Sequence, residues 1–344
     1  MNHCLNRDNI PKLLMVAALA TAISGSFAAA PEQNYSAPKN EYGQPNLRGV
    51  WNFSSDVPMQ RPLNQAQKIE LSEQELLVKR KQTAARFKQA DDYTGDAFGV
   101  GGYNTFWFEV NAQNDDLRTA LIVDPADGRL PARAVGAVVQ RGGLGPDIAS
   151  THPVRFRVGG IAKNGPEDRG LSERCLKGFN SGPPFVPSLY NNNVQIFQNR
   201  SHVVVMTEMI HDARIIPLDN RPRLGAEMRP WSGESRGHWE DDTLVVETTH
   251  FNDQLNVFDS TGTGDTMTLT ERFTRVGNDQ MVYQFTVDDP ESFVKPFTAL
   301  VNMPRAQGQI YEYACHEGNY AMVSILTGAR LDEASPAGKL TRKK

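Results

Sequence analysis

The sequence predicts a mainly β protein, an antiparallel meander that closes as a barrel, with a β-sandwich as the alternative. Three observations carry this expectation. From Asn193 onward, runs rich in β-branched and aromatic residues recur at short intervals. Polar or glycine turn signals separate them at Asn199–Ser201, Glu240–Asp242 and Gly277–Asp279. No helical crossover lies between the runs, which argues against a parallel α/β sheet.

The elements follow in chain order. "LRGVWNF" reads as a first strand. "LSEQELLVKRKQTAARFKQ" reads as a helix over 72–89, opened by a capping box of Ser72 and Glu75. Its apolar stripe is thin (Leu76, Leu77, Ala84, Phe87), so the helix belongs on the outside. The glycines of "DDYTGDAFGVGGYNTFWFEV" lack the Gly-Lys-Ser/Thr of a phosphate loop. They read as a loop before an aromatic strand. "RTALIVDPADGRLP" is a strand stopped by a turn at Pro125, Asp127 and Gly128. Residues 134–188 are rich in Gly and Pro and read as long loops. "VQIFQNRSHVVVMTEMIHDARIIPLD" reads as two strands around a polar turn. "GHWEDDTLVVETTHF" and "TMTLTERFTRVGNDQMVYQFTVDD" are further hairpins. "PFTALVNMPR" with "QIYEYACHE" is expected to make a fourth.

Composition sets broad limits. Of 344 residues, 39% are hydrophobic and 22% charged, as in a globular protein and unlike a disordered one. The formal net charge of −4 gives no field that points to nucleic acid. The N-terminus reads as a secretory signal: Arg7 and Lys12, then apolar "LLMVAALATAI", then small residues Ser26 and Ala28, with cleavage expected after Ala28. A polar lead-in covers 29–46, a single domain 47–335 and a basic tail 336–344. No stretch is long and apolar enough for an integral membrane span. The expected location is therefore periplasmic or against the outer membrane. Cys4 leaves with the signal, and in an oxidising compartment the remaining pair, Cys175 and Cys315, is expected to form a disulfide.

"GVW" at Gly49–Trp51 is similar to the Gly-x-Trp of lipocalins and the wider calycins, where the Trp plugs one end of a barrel. A longer set of motifs covers almost the whole mature chain: "LRGVWNF", "YNTFWFE", "RTALIVDPADGRLP", "ERCL", "EMIHDARIIPLD", "SRGHWEDDTLVVETTHF", "ERFTRV" and "YEYACHEGNYAM". Together these resemble a large family of exported bacterial proteins, associated with enzymes that open the ether ring of lignin-derived phenylcoumarans without a redox cofactor. The resemblance implies a reaction class and no particular catalytic residue.

The candidate residues come from polar positions inside apolar strands, since buried charges must be paired or line a cavity. "EMIHDARII" is read as a strand carrying Glu208, His211, Asp212 and Arg214, with His211 and Asp212 on opposite faces. "YEYACHEGNY" is read as a strand with Tyr311, Tyr313, Cys315 and Glu317 on one face and His316 on the other. For proton transfer the candidates are His211, His250 and His316, supported by Arg214, Arg236 and Tyr313. Tyr103, Trp107, His238 and Glu317 are candidate substrate contacts.

Three functions compete. The first is a cofactor-independent lyase or isomerase acting on a hydrophobic aromatic small molecule. The second is a lipocalin-like carrier without catalysis. The third is a metal-dependent hydrolase, although no HExxH or clustered HxH is present and no metal ligand is assigned. There is no Gly-x-Ser-x-Gly elbow and no nucleotide fingerprint, so no cofactor is expected.

Overall fold

The computed structural model describes residues 35–92, 109, 116–137, 163–252 and 266–335, without the side chains of 89–92. Among the described residues, ten strands form two antiparallel sheets, and two α-helices accompany them. The smaller sheet has the order β1 (Gly49–Asn52), β3 (Asn193–Gln198), β4 (His202–Thr207), β5 (Ala213–Pro217). The larger has the order β2 (Ile122–Asp124), β10 (Phe297–Pro304), β9 (Gln280–Asp288), β8 (Thr268–Gly277), β7 (Thr243–Thr249), β6 (Glu234–Glu240).

Period-two alternation makes these strands. On β3 and β4, Val194, Ile196, Val203 and Val205 are buried while their neighbours are not. On the larger sheet, Phe273 pairs with Leu244 and Tyr283, and Phe285 with Glu271 and Ala299. All of these join one core with Trp51, Phe53, Phe185 and Phe297, apart from Glu271. The inward positions are thus filled by large side chains. Phe185 brings the 182–187 loop into the same core, packing 5.3 Å from Phe53 and 5.5 Å from Tyr283, ring centre to ring centre.

The sheets approach each other along both margins. Trp51 bridges Arg305 just past β10, and Ala306 N–H donates to the Val50 carbonyl at 2.9 Å. At the other margin β6 lies beside β5. A Cβ at Gly237 would stand 2.8 Å from Ile216 Cγ2 and 2.9 Å from Leu218 Cδ2, so only glycine lets these backbones come so close. Trp51 is fully buried, donates Nε1–H to the Leu47 carbonyl at 2.8 Å, and lies under Arg305 at 4.7 Å.

Helix α1 spans Glu73–Asp92, with Ser72 and Glu75 exchanging backbone-to-side-chain bonds at 2.8 and 3.3 Å. Helix α2 spans Tyr320–Ala334 and has no counterpart in the sequence expectation of one helix. Cys175 and Cys315 form a disulfide across a separation of 140 residues. Among the described residues, no helix is long and apolar enough to cross a membrane.

Of the expected strands, one is broken and one is absent. "EMIHDARII" is not one strand: Thr207 ends β4, Met209–His211 is a single 3-10 turn, and β5 begins at Ala213. Ile210 and His211 take left-handed backbone angles, φ 61° and 46°, which no strand permits. "QIYEYACHE" is not a strand either, and β10 pairs with β9 and β2 instead. Cys315 is tied to the 175 loop and Tyr311 N–H bonds the Glu208 carboxylate at 3.3 Å, so neighbouring loops hold that segment, with no partner strand among the described residues.

Candidate functional site

The polar side chains divide into an interior group and a group at one end of the sheets. Inside, Arg214 points from β5 across to Glu271 on β8. Its Nη2 donates to Glu271 Oε1 at 3.0 Å, and its Nη1 pairs with Oε2. The Tyr283 hydroxyl donates to Glu271 Oε1 at 2.8 Å and accepts from Phe185 N–H at 3.1 Å. Glu271 and Tyr283 are fully buried, and Arg214 nearly so. Burial, and then the charge of Glu271, hold the Tyr283 phenol protonated well above its ordinary value of 10.0. Burial also pulls against the Arg214 charge, but the Glu271 carboxylate outweighs it and the guanidinium is held more firmly charged than usual. Every member has its partners, so the trio is a satisfied clamp between the two sheets.

The second group lies where β4 ends and β6 begins. The turn after β4 presents His211, exposed, and Asp212. Lys177, itself buried, pairs with Asp212 and donates to Ser232 Oγ at 2.8 Å, and Ser232 donates to Asp212 at 3.3 Å. Lys177 stands two residues after the Cys175–Cys315 bridge, so the disulfide fixes the loop that carries it. Glu208 accepts from Asn193 Nδ2 at 2.8 Å.

Next along the same end, Gly233 leads into β6 with φ +66°. A Cβ there would lie 2.7 Å from the Thr249 carbonyl, so glycine lets the start of β6 press against the end of β7. That brings Glu234 beside His250. Glu234 is 4% exposed because residues 222–224 cross over it. Its Oε1 accepts from Leu224 N–H at 2.9 Å and pairs with Arg236. Its Oε2 stands 3.7 Å from His250 Nδ1 and has no hydrogen-bond partner among the described residues. His250 is half-buried, takes φ 56°, and has Nδ1 2.9 Å from Thr249 Oγ1.

The other sequence candidates are dispersed. His316 and Glu317 are exposed and Tyr313 is half-buried, on the irregular segment beside Cys315. The imidazoles of His211 and His316 form no hydrogen bond or ion pair with a described residue, and none of the three candidate histidines bonds another. Arg236 backs Glu234 and donates to the Pro222 carbonyl at 2.8 Å. His238 is exposed on β6 and contacts Glu240 at 3.1 Å. Tyr103 and Trp107 lie outside the described residues. Sequence reasoning passed over Lys177, Ser232, Glu234 and Glu271. Glu271 had a readable signal, lying in a strand among apolar and β-branched residues, whereas Glu234 opens a strand of mostly polar residues and glycine and had none. Among the described residues, no cluster of three or more His, Cys, Asp or Glu is placed to hold a metal. Compared with known proteins, the chain matches no protein-family model, no curated protein and no solved structure.

Proposed function

We propose that the protein is an exported, cofactor-independent lyase or isomerase that moves protons on a small hydrophobic or aromatic molecule, such as a phenylcoumaran whose ether ring it opens. The observation that carries this is the backbone of two candidate bases. His211 and His250 both occupy left-handed conformations at the same end of the sheets, beside the Lys177–Asp212 pair and the buried Glu234. Strained positions of this kind persist where the surrounding structure holds them, and they gather at functional sites. An imidazole supplies the base near neutral pH, and a fixed cation assists a departing phenoxide.

The two sheets are read as one rolled barrel. The Trp51–Arg305 bridge at one margin and the β5–β6 approach at the other support that reading. So does the full burial of Trp51, as the resemblance to Gly-x-Trp barrels would have it. The inward positions taken by Trp51, Phe53, Phe185 and Tyr283 disfavour a ligand carried inside and favour chemistry at the end. The disulfide supports an oxidising compartment and hence export.

Incubating the mature protein with a panel of lignin-type dimers and following products by mass spectrometry tests the reading. A product of unchanged mass is the expected result. Ligand recovered unaltered across the panel, with binding retained, would establish a carrier, and gain of one water would establish a hydrolase.

A further inference from the structure

Glu234 poses a problem of its own. A buried carboxylate oxygen without a hydrogen bond costs free energy on the order of several kcal/mol, and native structures rarely leave one. Among the described residues Glu234 Oε2 is such an atom, on a residue 4% exposed, and it faces the His250 ring at 3.7 Å. Among the described residues, the charged groups packed around the pair are few. Arg236 lies on β6 and is engaged with Oε1. Glu247 on β7 is paired with Arg223 from the covering segment, and Arg223 also donates to Thr249 Oγ1 at 3.1 Å. Arg229, from the same segment, donates to the Phe251 carbonyl at 3.3 Å.

This arrangement chooses a tautomer. A proton on His250 Nδ1 lies toward both Thr249 Oγ1 and the bare Oε2 of Glu234. A proton on Nε2 instead would leave the carboxylate oxygen facing a ring lone pair. We propose that Glu234 is the positioning residue for His250. It holds the proton at Nδ1 and so leaves Nε2 as the base of the reaction proposed above, on which this assignment rests. In that reaction Nε2 takes a proton from the carbon next to the ether-bearing carbon. The C–H electron pair becomes a C=C bond, the C–O bond breaks, and the phenoxide then takes up a proton, so the mass is unchanged. The left-handed backbone at His250 serves the same end by turning the ring back toward β6.

Long-range 1H–15N spectra of the histidine rings, with His250 identified by its loss in His250→Gln, test the assignment without any substrate. In the neutral ring we expect a protonated Nδ1 and a bare Nε2 in the wild type, mixed tautomers in Glu234→Gln, and recovery in Glu234→Asp. A wild-type ring protonated on Nε2, or a Glu234→Gln spectrum identical to wild type, would overturn it. With a turned-over substrate, Glu234→Gln should lower kcat at least about tenfold with little change in KM. Unchanged kcat in a folded Glu234→Gln protein would also overturn it. A wild type that turns over nothing but shows the Nδ1–H signature defeats the proposed reaction and leaves the Glu234–His250 tautomer assignment standing.

Discussion

Glu271 and Glu234 are both buried carboxylates, 0% and 4% exposed, and both are paired with an arginine. Their surroundings differ. Glu271 has both oxygens bonded, by Arg214 and by Tyr283, and lies in an aromatic core. Glu234 has one oxygen bonded and the other turned toward a half-buried imidazole. A completed network has no capacity left for a ligand or a proton, so its worth is structural. An incomplete one keeps an unspent interaction, and that is what a site needs. Arg214, a candidate by sequence, belongs to the first kind and His250 to the second.

Breaking the interior clamp should have the largest effect. Glu271→Ala leaves Arg214 buried without a counter-charge, and denaturant unfolding should show a loss of about 3–5 kcal/mol. Reducing the Cys175–Cys315 bridge comes next. It releases a long loop constraint for a loss of about 2–5 kcal/mol, read from melts with and without reductant. Tyr283→Phe sharpens the contrast through pH. At neutral pH it should cost about 1 kcal/mol for a lost hydrogen bond. The folded phenol keeps its proton well above 10.0, whereas unfolded tyrosine loses it near that value. Stability from this group is therefore full below about pH 10 and falls as pH rises beyond it, by up to about 1.4 kcal/mol per pH unit. Tyr283→Phe should remove that contribution to alkaline unfolding. Smallest of all, His211→Ala and His316→Ala, at exposed positions, should change stability by less than about 0.5 kcal/mol.

Much of the sheet structure was legible. The β6–β7 and β8–β9 hairpins follow from alternating apolar residues and from turn residues such as Asn278 and Asp279. "EMIHDARII" misled because apolar residues flank its charges as they would in a strand. What breaks it is the left-handed conformation of Ile210, a residue that disfavours that region, so no local preference announced it. "YEYACHEGNY" alternates like a strand but has no strand to pair with among the described residues. Its position is set by a bridge to Cys175, 140 residues away. The disulfide was readable from the expected compartment and the cysteine count. The burial of Glu234 was not, since it depends on residues 222–224 crossing β6, which period and propensity do not encode.

The central distinction is between a saturated interior carboxylate and an unsaturated one at the end of the sheets, and a pair of melting curves tests it most directly. Glu271→Gln should lower the melting temperature by on the order of 10 °C, while Glu234→Gln, which keeps its acceptor for Leu224, should cost no more than about 1 kcal/mol. Equal and large losses in the two variants, or an unaltered melt for Glu271→Gln, would contradict the account.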